Sequence, residues 1–514
     1  MKASTKIVYN TGITYAKAVV TSLVSLYATR LILNALGAGD FGLYSVIGGM
    51  ISMLAFLNAA MTTSTQRYLS FNLGKGNMEK VRSIFANSVI IHIVIGIILV
   101  VGIEFIGLYF IKHKLRINSQ RIEVATYILH FVVASTFLTI ISVPYEAVIN
   151  AHEDMTFLAL VSIIESFLKL FAAVGIIYIT ADKLLFYGFF TLIVVAIIRL
   201  IKQVYSRRKF PECSVTLRLE YNKGQIAELT SFAGWNLFGV LCSLGRNQGV
   251  AVVLNLFFGT VVNAAYGVAN QINAQLMFFS QTMMSAMRPQ IMKSEGADDR
   301  SRMIRLALIA NKFSFFLFTF FALPLYFEMP FVLKLWLKNV PEYSVEFCRS
   351  IILLTMVNQI NMGLMTAVQA IGNIKVYQIV AGGIQLLTLP IGFVYLKLGY
   401  PAYSIVLVSA ILECISTVFR VFYFKYLTSY PVWDYFKNVI ANSLFSLLPP
   451  VALVYSIYSR IGNGWLNFII VCIISGTSYL ISIYLIGLSK DDKRIFVELS
   501  KNLKKKFSSK IYKK

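Results

Sequence analysis

Charge is what this chain has least of. Aspartate, glutamate, lysine and arginine together make 14% of its 514 residues, roughly half the share of an ordinary globular protein. Acids are the scarcer sign, 23 against 47 lysines and arginines. With 57% hydrophobic residues and a mean hydropathy of +0.71, the chain has more apolar surface than one soluble core could bury. Cysteine is also sparse, and Cys213, Cys242, Cys348, Cys414 and Cys472 form no CxxC pair. Most lie in apolar runs, where a thiol is a small buried hydrophobe, so neither a disulfide framework nor a thiolate metal site follows. The four histidines, His92, His113, His130 and His152, stand alone without metal-ligand spacing. GxSxG, HExxH, P-loop and dinucleotide fingerprints are missing, which argues against those enzyme classes and against a nucleotide-driven pump. The N-terminus lacks a small-residue cleavage site after a short apolar core, and reads as a retained first helix.

What the chain does contain is long apolar runs, of the length that spans a bilayer. They fall at about 8–36, 41–66, 84–111, 122–149, 156–180 and 183–203, then at about 229–259, 261–287, 303–333, 343–371, 373–396 and 401–427, and last at about 436–459 and 464–488. This predicts an all-α polytopic membrane protein of about 14 transmembrane helices. Its parts are an N-lobe over 1–204, a cytoplasmic linker over 205–228, a C-lobe over 229–428, two further helices within 429–488, and a basic tail over 489–514. In the tail, Ile495, Phe496, Leu499, Leu503 and Phe507 recur at helical intervals among lysines, the pattern of an amphipathic helix lying on a membrane surface.

The net charge of +24 does not point to nucleic acid, because the basic residues sit mostly in the gaps between apolar runs and in the tail. Placed there they set orientation and meet anionic head groups. An N-in, C-in topology collects Lys2, Lys6, the segment from Arg67 to Arg82, the Arg207 cluster, the segment from Arg288 to Arg305 and the tail on one side. The third loop, with Lys112, Lys114, Arg116 and Arg121, goes against that rule.

The two lobes echo each other. Gly37, Tyr44, Leu54, Phe56 and Met61 recur as Gly259, Tyr266, Leu276, Phe278 and Met283 at one offset of 222 residues, and EAVINAHEDM from Glu146 recurs as TAVQAIGNIK from Thr366. Six helices per copy is an even number, so both copies cross the membrane in the same direction, as parallel repeats. Such repeats place a substrate between halves that rock in alternating access. Duplication therefore argues for transport over catalysis.

Helix positions whose charge should be expensive in lipid include Lys17, Arg30, Glu104, Glu146, Glu165, Lys169, Arg199, Arg246, Glu413 and Arg420. Each is costly in lipid and so a candidate for function. Arg199 and Arg420, near cytoplasmic ends, can snorkel, and Glu146 sits near the end of its helix. Arg30 and Arg246 each lie in the first helix of a lobe, at least two turns from its end. Two guanidiniums facing one cavity suit a phosphate or diphosphate, with Lys17 extending the same path; the bland alternative is helix-packing ion pairs with Asp40 or Glu165. Glu165 and Lys169, at i,i+4, can neutralise each other; otherwise Glu165, Glu413 or Asp40 is where a coupling proton or sodium ion would bind. The amides Asn247, Asn270, Asn273 and Asn358 either glue helices together or line a wet cavity that receives sugar hydroxyls.

The segments TRLILNALGAGDFGLYSVIGGM and PYEAVINAHEDM, the RPQI at Arg288 and the fourteen-helix plan resemble the Wzx-type oligosaccharide flippases of O-antigen and polysaccharide synthesis. These are members of the MOP exporter superfamily, together with lipid II flippases and the drug-extruding MATE transporters. The resemblance implies a non-enzymatic protein of the bacterial inner membrane with no cofactor beyond a coupling Na+ or H+. Its substrate would be an undecaprenyl-diphosphate-linked oligosaccharide moved to the periplasmic leaflet, with membrane lipids, a polysaccharide polymerase and export machinery as partners. It also implies that first-helix and C-lobe arginines contact the diphosphate and that helices 13 and 14 form a groove for the lipid tail. A MATE-type drug antiporter is the alternative, depending on carboxylates where a flippase depends on arginines. A membrane polysaccharide polymerase or ligase is the alternative from another class, and would need a sizeable extramembrane loop, yet the outer loops expected here run to about ten residues.

Overall fold

A computed structural model of the chain describes residues 3–52, 55–115, 117–214, 220–337, 339–458, 464–489 and 492–493, and these contain helices and no strand. The expected tail helix through Ile495 and Phe507 lies outside the described residues. Twelve described stretches are long and apolar enough to cross a membrane. One of them spans 74 residues, 223–296, and holds two helices meeting at Gly259. The helices are α1 (3–36), α2 (38–52 and 55–74), α3 (Met78–His113), α4 (Ile122–Ala151), α5 (Met155–Gly175), α6 (Lys183–Lys209), α7 (223–258), α8 (260–296), α9 (Arg300–Phe327), α10 (Ser344–Ile371), α11 (Lys375–Lys397), α12 (Ser404–Thr428), α13 (Val432–Tyr458) and α14 (Trp465–Gly487).

The duplication is written into the backbone. Gly37 (φ 75°, ψ 168°) joins α1 to α2, and Gly259 (φ 77°, ψ −164°) joins α7 to α8. Both occupy a region of backbone space that is essentially reserved for glycine. At the same offset of 222, Gly76 (φ 73°) ends α2 and Asp298 (φ 57°) ends α8. The next residues, Asn77 and Asp299, cap the helices that follow, their side chains accepting from the N–H of Lys80 at 2.9 Å and of Arg302 at 3.0 Å. The chain turns after α4 at Glu153 (φ 61°) and after α10 at Gly372 (φ 99°), in the two matched ten-residue segments.

By contacts the chain divides into two compact units, Asn10–Leu237 and Phe238–Lys514 with Met1–Tyr9. The division falls inside α7 because the start of that helix is fastened to the first unit. Ser83 donates to Gln225 Oε1 at 2.8 Å, the Asn222 N–H donates to Asn87 Oδ1 at 3.0 Å, and Ser64 donates to the Leu229 carbonyl at 3.0 Å.

Within the first unit, α3, α4 and α6 pack at glycine contacts. A Cβ at Gly107 would lie 2.7 Å from Leu129 Cδ1, and one at Gly188 2.6 Å from Ile128 Cδ1. Within the second, α9 and α10 approach at backbone distance, since a Cβ at Gly363 would stand 2.2 Å from the Ala307 carbonyl oxygen. The last two helices are tied to each other where Ser482 donates to the Ser446 carbonyl at 2.6 Å, and to α9 where Asn311 donates to Tyr435 Oη at 3.1 Å and where Asp492, just past α14, pairs with Lys312.

Candidate functional site: intramembrane cations in two lobes

In the first unit, Ala28 and Ile32 of α1 are buried against Ala173 of α5, with Leu170 and Tyr187 alongside. Arg30 lies two residues from each, which at 3.6 residues per turn puts it on the opposite face of α1. It is exposed and forms no ion pair with any described residue. Lys17, half-buried on the same helix, lies within electrostatic reach of Glu146, Glu165 and Lys202 but bonds to none of them. Those acids have nearer partners. Lys202 donates to Glu146 at 2.7 Å, and Lys169 donates to Glu165 at 2.7 Å across one helical turn.

The acids first suspected of pairing with the arginines are therefore engaged elsewhere. Asp40 binds Arg121, which also holds Asp182. That gives Arg121 a structural task and accounts for one of the basic residues that broke the orientation rule. Glu104 pairs with His130 between α3 and α4.

At the foot of the first unit, Asp154 caps α5 and accepts from Tyr205 and Lys209, each at 2.5 Å. Burial acts to raise its pKa, but the hydrogen bonds from Lys209, Tyr205 and the Phe157 N–H outweigh that and hold the carboxyl below its ordinary value. His152 stacks on Phe210 with ring centres 4.2 Å apart, and its Nε2 lies 2.5 Å from the fully buried Glu212. These contacts tie the α4–α5 turn to the end of α6.

The second unit holds the densest buried charge among the described residues. Glu413 of α12 is sealed, with none of its side chain exposed, between Arg420 and Arg246. Arg420 Nη1 donates to Glu413 Oε1 at 2.6 Å; Arg246 Nη1 stands 4.0 Å from Oε2, outside hydrogen-bond range. Arg246 Nε and Nη2 both donate to Asn247 Oδ1 at 3.2 Å. Glu413 Oε2, Arg420 Nε and Tyr377 Oη are buried without a hydrogen-bond partner. Two guanidiniums share one carboxylate, so the cluster carries one positive charge more than it balances.

Arg420 does not snorkel as its place near a helix end suggested. It points inward, 7% exposed, with its guanidinium 5.8 Å from the Tyr377 ring centre. The amides divide. Asn247 serves Arg246 as described; Asn270 and Asn358 return their amide protons to the carbonyls of Tyr266 and Leu354 in their own helices. Asn273 accepts from Thr355 at 2.9 Å and so links α8 to α10.

Two further features were not singled out in the sequence. A cavity of about 850 Å³ lies between α8, α9, the short helix Met329–Trp336 and α14. Its wall is aromatic, with Phe279, Phe320, Phe321, Trp336 and Phe468, and Gln271 and Gln275 are its polar members. The buried Lys312 was also passed over, although it lies in the apolar run 303–333 and the cost of charge in lipid would have flagged it as it flagged Arg246.

The fold places this chain in a class, that of the helical membrane proteins with the MATE fold. No family model matches the sequence, and no curated protein matches it. Solved structures do: a MATE in the bent conformation superposes with a TM-score of 0.71 at 14% identity, over 84% of this chain and 99% of that one. An outward-facing multidrug resistance MATE family transporter of the MOP superfamily gives 0.68 at 15%, over 84% and 96%. A MOP superfamily transporter from Pyrococcus furiosus, described as having a binding pocket of reverse polarity that suggests a different function, gives the same values.

Proposed function

We propose that the protein is a transporter that carries an anionic lipid-linked oligosaccharide across the bacterial inner membrane by alternating access, with its N- and C-termini on the cytoplasmic side. The observation that carries this reading is the excess of buried or intramembrane cations over acids. Arg30 has no acidic partner among the described residues, Lys17 is a third lysine beside two glutamates, and Arg246 and Arg420 share Glu413. Cations left unbalanced in apolar helices are costly unless a partner arrives, and the chemistry that answers guanidinium forks is a phosphate or diphosphate. The aromatic cavity beside α14 supplies a surface for a polyprenyl chain, which an anionic sugar donor without a lipid would not need. Asn247, exposed and bonded to Arg246, suits sugar hydroxyls, and the half-buried Asn270, Asn273 and Asn358 belong to the same reading. Cation coupling, by Na+ or H+, and contacts with a polymerase and export machinery belong to the same reading.

The drug-antiporter reading draws on the fold shared with MATE structures. It predicts dependence on Asp40, Glu165 or Glu413 and indifference to Arg30.

The deciding experiment measures flipping of a fluorescent undecaprenyl-diphosphate oligosaccharide in proteoliposomes. Arg30→Ala and Arg246→Ala are each expected to slow it by about tenfold or more, the worth of a hydrogen bond to a charged group. Wild-type protein that leaves such donors in place while exporting a cationic dye overturns the flippase in favour of the antiporter.

A further inference from the structure

The cluster of α7 and α12 contains its own anion, and how that anion is shared decides whether Arg246 is available. Glu413 is fully sealed, while Arg246 keeps about a tenth of its side chain exposed and bonds there to the exposed Asn247. Arg420, buried to the same extent as Arg246, stands beside the Tyr377 ring and within electrostatic reach of Tyr435. The two guanidiniums are not equivalent. Arg420 makes the hydrogen bond at 2.6 Å, and Arg246 is left 4.0 Å from the second oxygen, an ion pair too long for a hydrogen bond.

Two cations compete here for one buried anion, and one of them has won. A carboxylate between two guanidiniums closes on whichever offers the better geometry, and a charge left unpaired in an apolar interior binds any anion that reaches it. We propose that Arg420 is a positioning residue: by holding Glu413 in its hydrogen bond it keeps the carboxylate from closing on Arg246 and leaves Arg246 free to bind the diphosphate of the cargo. This rests on the flippase reading for the identity of the cargo, though the anion chemistry stands by itself.

Charge arithmetic gives an order of affinities that simple damage to the fold does not. With Arg420 replaced by glutamine, Glu413 is released to Arg246, the pair is neutral, and the anion site is quenched. Removing Glu413 as well leaves Arg246 alone with its charge, and the site returns. Removing Glu413 by itself leaves two unopposed guanidiniums.

The test titrates inorganic pyrophosphate into the purified full chain in nanodiscs by calorimetry. Arg420→Gln is expected to weaken binding by about tenfold, comparable with Arg246→Gln. The double variant Arg420→Gln/Glu413→Gln is expected to bind within about threefold of wild type, and Glu413→Gln more tightly than wild type. Rescue by the second substitution is the readout that a structural role for Arg420 would not move. Unchanged affinity in Arg420→Gln, a double variant as weak as Arg420→Gln, or a wild type that binds no pyrophosphate overturns the proposal. If Arg420→Gln does not fold, Glu413→Gln decides, since affinity equal to or weaker than wild type also overturns it. Flipping is assayed in parallel. The expected affinity order without flipping leaves Arg420 its role and removes the flippase; flipping that needs Arg30 and Arg246, with flat affinities across the 413/420 series, removes the role of Arg420 alone.

Discussion

A buried charge in this protein is informative only once its partner is known. Glu328 illustrates the case with no partner. It ends α9, is 2% exposed, and forms no ion pair among the described residues, although Arg349 donates at 2.9 Å to the carbonyl of Tyr326 two residues before it. Burial raises its pKa above the ordinary glutamate value. A carboxyl raised in the folded state is fully compatible with the fold below the unfolded glutamate pKa, and that stability is lost as pH rises through the folded pKa. Glu328→Gln should therefore raise the Tm at pH 8 and leave it unchanged at pH 4. A variant that loses stability at pH 8 would show that the ionised carboxylate is held by contacts that offset its burial. Asp154 has the opposite sign: its lowered pKa makes the α4–α5 tie firm above the unfolded aspartate value and loosens it as pH falls through the folded one. At this scale the sequence marked the right kind of residue but not every pairing. Arg30, Arg246 and Glu413 stood out because charge is rare in apolar runs; that Asp40 is taken by Arg121 depends on a contact 81 residues apart that no local pattern encodes, whereas Glu413 and Arg420, seven residues apart, share a face of one helix and their pairing follows from its period.

Between helices, the duplication was the most legible feature. Gly37 and Gly259 were matched by position, and their backbone angles give the physical reason: the turn from the first to the second helix of each lobe passes through conformations that only glycine adopts cheaply. Both positions have open space, with nothing within 4 Å of an added Cβ. The cost of Gly37→Ala or Gly259→Ala is thus a backbone cost, about 1–3 kcal/mol each. Gly39→Ala is the control, equally open but at an ordinary φ, and should stabilise or leave unchanged the thermal unfolding of the detergent-solubilised protein. Equal losses at all three positions would place the cause in the surface rather than the backbone. The equivalence of Gly76 with Asp298, and of the turn at Glu153 with that at Gly372, could not be read in the same way. A non-glycine residue in the left-handed region carries no sequence mark, and aspartate tolerates it through its short polar side chain. The division inside α7 was hidden for a related reason, because Asn87, Ser83 and Ser64 fasten the linker through single polar residues scattered over α2 and α3.

For the whole molecule, the proposed function assigns the distinction between cargoes to α14, one of the two helices without an echo. A duplicated twelve-helix body serves any alternating-access transporter, whereas α14 closes one wall of the aromatic cavity against α8 and α9. If that cavity receives the polyprenyl chain, filling it should block a lipid-linked cargo and spare a soluble anion. Gly476 offers the test, because it lines the cavity and an added Cβ meets only the Phe320 ring at 3.5 Å, an ordinary contact. Gly476→Leu then projects its side chain into the cavity at little packing cost. Flipping of an undecaprenyl-diphosphate oligosaccharide should fall by about tenfold, the order lost when a buried side chain's worth of apolar contact is denied. Pyrophosphate affinity should stay at the wild-type value, because Arg246 and Arg420 lie on α7 and α12, which do not line the cavity. A short-chain analogue with the same diphosphate and sugar should be moved equally by both proteins. Equal slowing of short and long chains would assign the cavity to the packing of the second unit, and leave the arginines as the sole ground for an anionic cargo.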